Sequence, residues 1–329
     1  MVASVAIDPR PPTLRATMQA LLDAITAVPA IPEEACRIFH GRGGLYPGCE
    51  HWTLDFYPPV WLLTSFEPVS EEELAAVGAA LQVRWQQLAP TGQPLNWLVQ
   101  HRDETQATNQ LMAGSVPEPH HVRENGVLFQ VHLARGMNHG LFLDMAEGRR
   151  WVAEWAAQHP GGRVLNLFAY TCAFSVVALR AGAAAVENYD MARGPLVTGK
   201  RNHELNGLRT GAGFLPHDIF NSWGRITRHG PYDLVIMDPP SYQKGSFIAT
   251  KDYARLVRRL PDLLAPGGQA LLCLNTPKLG PDFLLNLLQT EAPGIEFVER
   301  LSNPPVFADI APERALKVMR VRRVERQAE

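Results

Sequence analysis

The spacing of apolar residues divides the chain into two differently built halves. Leu14, Met18, Leu21, Leu22 and Ile25 recur at helical intervals between Pro12 and about Val28, and a Pro-containing stretch follows, which predicts a leading helix. A segment rich in Gly, aromatic residues and Pro, HGRGGLYPG from His40 to Gly48, precedes two strand-like runs bounded by turns, Trp52 to Tyr57 and Val60 to Phe66. Ser70 with Glu73 three residues later has the form of a capping box, and the apolar period that continues to Leu88 predicts a second helix. Leu95 to Gln100 reads as another strand. Glu124-Asn125-Gly126 before the strand Val127 to Leu133 predicts a hairpin turn with positive φ at Asn125 and Gly126. Residues 1–135 therefore read as a small α+β domain.

From Gly161 onward, strands and helices alternate, the signature of a mostly parallel sheet covered on both faces. The strands are Arg163 to Phe168, Val186 to Asp190, a short one near Phe214, Tyr232 to Asp238 and, after a turn at Pro266-Gly267-Gly268, Gln269 to Asn275. YDLVIMD is apolar on both faces, as a central parallel strand must be. Helices are expected from Phe174 to Gly182 and from Pro195 to Leu205, the latter ending on Asn206-Gly207. Ile295 to Leu301 and Ala315 to Arg322 have no convincing helix between them and should pair as an antiparallel edge. The predicted architecture is α/β, with residues 136–329 forming the second domain.

A chain of 329 residues with 46% hydrophobic content can bury two cores. No apolar run reaches the eighteen or so residues of a membrane span, and MVASVAIDPRPP lacks a basic-then-apolar signal, so a soluble cytoplasmic protein is expected. Cys36, Cys49, Cys172 and Cys273 lack the spacing of a zinc or redox pair, so neither a metal nor a disulfide framework is implied. With a net charge of -2, an RNA partner would have to be held by a local basic surface. The Arg-rich RVRRVER reads as a solvated strand end.

Ligands of an open α/β sheet bind beyond the carboxyl ends of its strands. The first strand delivers Asn166, Phe168, Tyr170, Thr171 and Cys172 to that edge, the second Asp190 and Met191, the third Asp218 and Ile219, and the fourth Asp238-Pro239-Pro240-Ser241-Tyr242. Asp190, about twenty residues after the first loop, suits a ribose diol. Asp218 suits an adenine amino group, and either acid can equally be a turn residue. In DPPSY the two prolines stiffen the backbone and set an aromatic at the rim, where it can stack on a planar base.

These stretches carry a resemblance. GLFLDMAEGRR (Gly140 to Arg150), VLNLFAYTCAF (Val164 to Phe174), ENYDMA (Glu187 to Ala192), HELNGL (His203 to Leu208), HDIF (His217 to Phe220), DLVIMDPPSY (Asp233 to Tyr242) and LAPGGQALLCLN (Leu264 to Asn275) occur in order over about half the chain. From about Phe142 to the end the sequence resembles the class I, Rossmann-like methyltransferase domain of bacterial 23S rRNA methyltransferases of the RlmI and RlmK type. The region from Cys36 to Phe66 resembles, more faintly, the domain that precedes it in that family. The resemblance implies S-adenosylmethionine as cofactor, methylation of a ribosomal RNA base, and a pocket lined by Asp144, Phe168, Asp190, Asp218 and Asp238. It places Pro239, Pro240 and Tyr242 on the side of the target base; the strand-end residues Asn166, Tyr170, Thr171, Met191 and Ile219 are assigned to the cofactor from their position at the same edge.

Two departures bear on the chemistry. Cys172 stands where the family has Gly, which is expected to narrow the cofactor loop or force it outward, and Ala146 replaces an arginine, with Arg149 and Arg150 nearby. Cytosine C5 must be activated by a Cys thiolate before methylation. The position of that Cys in cytosine-specific relatives is Asn275 here, and Cys273 reads as a core residue. Asn275 resembles the guanine-N7 branch instead, where positioning by Asp238, Tyr242 and Asn275 suffices without a general base. Lys244 and Lys278 are phosphate contacts or ordinary exposed lysines, and HGRGG around Arg42 is a flexible basic loop or a plain turn. The expected protein is a monomeric or homodimeric rRNA methyltransferase. The alternatives are a non-RNA acceptor, or a catalytically silent domain that binds RNA or protein.

Overall fold

The structure is a computed structural model that describes residues 18–103, 106–240, 242–243 and 247–324, with the backbone alone at 242–243. The leading helix, α1, runs Gln19–Ala27; the part expected over residues 12–17 lies outside the described residues. Strands β1 (Cys36–His40), β2 (Trp52–Tyr57) and β3 (Val60–Ser65) form a meander; helix α2 (Glu71–Leu88) crosses over to β4 (Asn96–Arg102), and β5 (Ala107–Ala113) completes a five-stranded sheet in sequence order. The capping box is present: the Ser70 hydroxyl accepts from the Glu73 N–H, and the Glu73 carboxylate accepts from the Ser70 N–H.

Period-two alternation decides what each face of this sheet covers. Leu54, Phe56, Trp61, Leu63, Trp97 and Val99 pack with Leu21 and Ile25 of α1 and Val77, Leu81 and Trp85 of α2. Tyr57, Val60, Leu62 and Leu98 point the other way, into one continuous core with the second half of the chain. The hairpin of β6 (His120–Glu124) and β7 (Val127–Val131) turns through Asn125 (φ +48°) and Gly126 (φ +72°), as its sequence requires, and Glu34 accepts from both turn N–H groups at 2.8 Å.

The second half contains α3 (Ala146–Gln158), β8 (Arg163–Leu167), α4 (Ala173–Arg180), β9 (Ala185–Tyr189), α5 (Arg193–Leu205), β10 (Ala212–Leu215), α6 (Trp223–His229), β11 (Tyr232–Met237), the two-residue strands β12 (Tyr242–Gln243) and β13 (Phe247–Ile248), α7 (Ala249–Val257), α8 (Leu260–Leu263), β14 (Leu264–Leu274), α9 (Pro281–Glu291), β15 (Ile295–Leu301) and β16 (Lys317–Arg323). The main sheet has the order β10-β9-β8-β11-β14-β16-β15. Its first five strands are parallel, and β16 inserts antiparallel between β14 and β15, the edge expected from the helix-free ending. Leu234 and Ile236 of β11 enter one core, Val235 and Met237 the other. Pro266-Gly267-Gly268 is not a turn ahead of a strand: β14 already begins at Leu264, and these residues form the irregularity where pairing jumps from Tyr232↔Leu264 to Leu234↔Gln269.

Between β8 and α4, Phe168, Tyr170 and Cys172 all take positive φ (+59°, +47° and +59°), a conformation that costs a non-Gly residue about 1–2 kcal/mol. The loop is held by its neighbours. Thr171 Oγ1 donates to the Gly140 carbonyl (2.6 Å), Asn202 Nδ2 donates to the Thr171 carbonyl (3.0 Å), and the Ala169 N–H donates to Tyr189 O (3.0 Å). Cys172 is fully buried against α5, where a Cβ placed on Gly199 would stand 2.5 Å from its sulfur. Gly199→Ala should therefore overpack this contact and cost about 1–3 kcal/mol in chemical denaturation. Adding Cys172→Gly, which removes the sulfur and suits φ +59°, should restore most of that loss. A Gly199→Ala protein as stable as the wild type would contradict the packing.

Candidate functional site

The strand order reverses between β8 and β11, and a cavity of about 570 Å³ opens there beyond the carboxyl ends of the parallel strands. That volume is in the range of sites for small cofactors. Phe168, Tyr170 and Thr171 reach it from the β8 loop, Asp190 and Met191 from β9, and Asp218 and Ile219 from beyond β10. Asp238, Pro239 and Pro240 follow β11, Asn275 follows β14, and Asp144 comes from the segment before α3. Twelve positions singled out from sequence thus share one wall.

Asn166 is not among them. Its Nδ2 donates to Asn188 Oδ1 (2.9 Å), Asn188 donates to Ser175 Oγ (3.0 Å), and Ser175 meets His203 Nε2 at 2.9 Å. This buried polar chain ties β8 and β9 to α4 and α5, so Asn166 fixes the frame from behind the cavity. Tyr242 has a described backbone, paired with Ile248, but its side chain and all of Ser241 and Lys244 lie outside the described residues. Lys278 is exposed.

Asp190 and Asp218 are oriented by amide N–H donors. Asp190 accepts from the N–H groups of Tyr170 and Ala192, one on each oxygen, at 2.8 Å. Asp218 accepts from the Phe220 N–H (2.8 Å) and Asn221 Nδ2 (2.7 Å). Both carboxylates keep lone pairs for a ligand.

Asp144 and Asp238 lie deeper. Burial, reinforced by the charge of Asp144 and opposed by Arg149, pushes the Asp238 carboxyl up to about 7. Burial raises Asp144 as well, against the pull of Arg37 and Arg149. Among the described residues lining the cavity, Arg149 is the one cation set against four carboxylates. Its charge is already engaged: Nε and Nη2 donate to the two oxygens of Glu124 at 2.6 and 2.7 Å, and Nη2 also donates to Phe142 O. The cavity is therefore short of positive charge, and a cationic ligand would relieve Asp238.

Sequence reading left Arg149 and Arg150 undivided. Arg150 is exposed and pairs with Glu147 and Glu154 on its own helix, while Arg149 is buried at the cavity wall. Phe142 was missed as a site residue although it lies in the GLFLDMAEGRR stretch; 41% exposed at the mouth, its ring sits 5.3 Å from that of Tyr170. Leu316 also lines the wall, from the segment before β16, and nothing in the local sequence announces it. Cys172 does not narrow the cavity or displace the loop: its side chain turns toward Gly199. Cys273 is completely buried, with its thiol raised well above the usual range by burial and then by Asp238 and Asp144. Among the described residues no helix is long and apolar enough to cross a membrane, and no cluster of three or more metal-ligating side chains occurs.

Comparison with known proteins agrees with this geometry. The chain is 34% identical over 164 residues to the ribosomal RNA large subunit methyltransferase I of Aeromonas salmonicida, covering 48% of this chain and 41% of that protein. It is 34% identical over 196 residues to the ribosomal RNA large subunit methyltransferase K of Neisseria meningitidis serogroup B, covering 56% and 52%. The chain spans about half the length of these curated relatives or less. The crystal structure of SMU.776 complexed with SAH shares the fold, with a TM-score of 0.77 at 24% identity over 94% of this chain and 80% of that one. The family model described as S-adenosylmethionine-dependent methyltransferase matches residues 36–322, and the chain belongs to that family.

Proposed function

We propose that the protein transfers the methyl group of S-adenosylmethionine to a base of ribosomal RNA, and that a purine ring nitrogen is the acceptor. The observation that carries the reading is a preformed cavity with four carboxylates and one already neutralised arginine, at the switch point of the sheet. When bound, S-adenosylmethionine supplies a methyl group on a positively charged sulfur, open to in-line displacement. Asp190 and Asp218, oriented by amides, hold the hydroxyl and amino donors of the nucleoside. Asp144 and Asp238 supply the negative potential that a sulfonium and an ammonium group require. Met191 and Ile219 contribute apolar wall beside the two nucleoside acids.

On the acceptor side, Pro239 and Pro240 stiffen the exit from β11, and Asn275 stands at the exposed rim after β14. Tyr242 follows in the same loop and is assigned to stacking on the base. The thiol of Cys273, buried and held neutral, does not line the cavity, which favours an acceptor atom that carries its own lone pair over a covalently activated cytosine. Catalysis then comes from positioning, which can supply several kcal/mol without a general base. The orientation of Cys172 away from the cavity favours a working site over a silent one. Residues 1–135 are assigned to substrate docking. Ribosomal RNA as acceptor is supported by the relatives with that activity in their names.

Three outcomes follow from the Asp238 carboxyl at about 7. A cation binds its ionised form, so affinity for S-adenosylmethionine measured by calorimetry should rise about tenfold from pH 6 to pH 8 and level off above that. Asp238→Asn should abolish this pH dependence and weaken binding. In the ligand-free protein the raised carboxyl contributes stability at low pH that is lost between about pH 4 and 7, as the unfolded chain releases its proton first. Asp238→Asn should therefore melt higher than the wild type at pH 8; a lower melting temperature there would contradict the assignment.

The acceptor is tested by incubating the purified protein with labelled S-adenosylmethionine and protein-free 23S rRNA. Cys273→Ser should keep transfer within a few-fold of wild type, and Asp238→Ala should lose it. Loss of transfer in a folded Cys273→Ser protein would point to a cytosine acceptor instead.

A further inference from the structure

The HGRGG segment is a Gly-rich turn, as one reading of its sequence expects, and it is clamped on both sides. Gly41–Gly43 form one 3-10 turn in which both glycines are buried, and a Cβ on Gly41 or Gly43 would run into the backbone carbonyl of Cys49 or Ala308. The Ile310 N–H donates to Gly43 O at 2.9 Å, closing the clamp. Arg42, between the two glycines, is left on the exposed side of a fixed platform.

Its guanidinium lies 3.8 Å from the ring centroid of Phe66, and that of Arg102 lies 5.8 Å from the same ring. Two cations over one phenyl ring repel each other, and burial and mutual repulsion lower Arg42. The two guanidiniums thus bring two positive charges together over one ring beside the platform. Arg150, Arg255 and Arg258, by contrast, are exposed arginines paired with carboxylates: Arg150 with Glu147 and Glu154, Arg255 with Asp252, Arg258 with Glu291.

The pair also sits beside the loops that frame the cavity. Arg102 ends β4, and two residues earlier Gln100 donates to Gly136 O (3.1 Å), joined there by Asn109 (3.0 Å). These bonds fix the loop that carries Asn138 and Gly140 to the cavity wall. Ala308, which clamps Gly43, belongs to the segment that leads to Leu316 on the same wall. Exposed Tyr46 and Ile310 flank the platform with apolar surface.

We propose that Arg42, Arg102 and Phe66 form a docking site for the phosphate backbone of a single-stranded RNA segment adjoining the nucleotide that enters the cavity. Guanidinium forks match phosphate oxygens, and the plane of a guanidinium accepts an unstacked base. With a net charge of -2 the whole protein gives no general attraction to RNA, so a local concentration of positive charge such as this pair is what an RNA segment would be held by. The inference rests on the RNA acceptor proposed above.

The test is filter binding of the full chain to protein-free 23S rRNA over a series of salt concentrations, with Arg42→Ala/Arg102→Ala, Arg42→Lys/Arg102→Lys and, as a paired-arginine control, Arg150→Ala. Loss of two single-strand phosphate contacts should lower the slope of log affinity against log salt by about 1.4 and weaken binding at least about tenfold at low salt. The lysine pair should recover most of the slope, Arg150→Ala should match wild type, and calorimetric affinity for S-adenosylmethionine should be unchanged in all three. If the double alanine protein bound the rRNA with wild-type affinity and slope while the wild type methylated it, the docking site would be wrong and the acceptor reading would stand. A wild-type chain that neither bound nor methylated rRNA, or an acidic protein captured by the pair in place of RNA, would overturn both.

Discussion

Two half-buried carboxyl groups that feel each other's charge are the constraint on which the site is built. Asp144 enters from the segment before α3 and Asp238 from the end of β11, and the charge of the first helps to hold the second near pKa 7. Without a ligand this arrangement is unfavourable, because the two described cations that act on these carboxylates are already engaged, Arg149 by Glu124 and Arg37 by Asp55. Folding tolerates the cost because both acids are anchored in elements whose apolar faces bury Leu143, Met145, Ile236 and Met237. The unfavourable term is released when a positively charged molecule enters, so poor stability at one point of the empty protein becomes selectivity for a cationic cofactor.

The rest of the cavity is held rigid in its open form. Three alternate residues with positive φ after β8 would be costly in isolation, and the loop persists because Gly140, Tyr189, Asp190 and Asn202 each satisfy one of its polar groups. One of those partners, and the arginine at the cavity wall, lead into the first half of the chain. Asn202 also accepts from the Gln130 N–H of β7, and Arg149 clasps Glu124 of β6, so the hairpin is bonded to α3 and α5 rather than hanging from the N-terminal sheet. The far face of that sheet supplies Tyr57, Leu62 and Leu98 to the same core. The halves therefore share a continuous packed interior, through which the N-terminal sheet is set beside the cavity mouth.

Much of this was legible in the sequence wherever local rules dominate. The hairpin turn at Asn125-Gly126, the capping box at Ser70, the doubly apolar β11 and the antiparallel ending all follow from period and turn chemistry, which act within a few residues. Strand-end acids were legible because the carboxyl edge of a parallel sheet is where ligands bind. What depended on distant partners was not. Asn166 occupies a strand position that suggested the cavity, but it faces the buried chain through Asn188 and Ser175, a fact set by residues twenty-two and nine positions away. Cys172 suggested an obstructed loop until Gly199, on another helix, proved to receive its sulfur. Leu316 reaches the wall only because β16 inserts into the sheet, and the clamp on Gly43 comes from Ala308.

The electrostatic account of the cavity is tested most directly by counting protons on binding. Calorimetric titration with S-adenosylmethionine at pH 6.5, in two buffers of different ionisation enthalpy, should reveal release of up to about three-quarters of a proton in the wild type, from Asp238 at about 7 becoming ionised against the incoming cation. Binding with no proton released, or with proton uptake, would show that the Asp238 carboxyl does not answer to the charge on the ligand and would contradict the account.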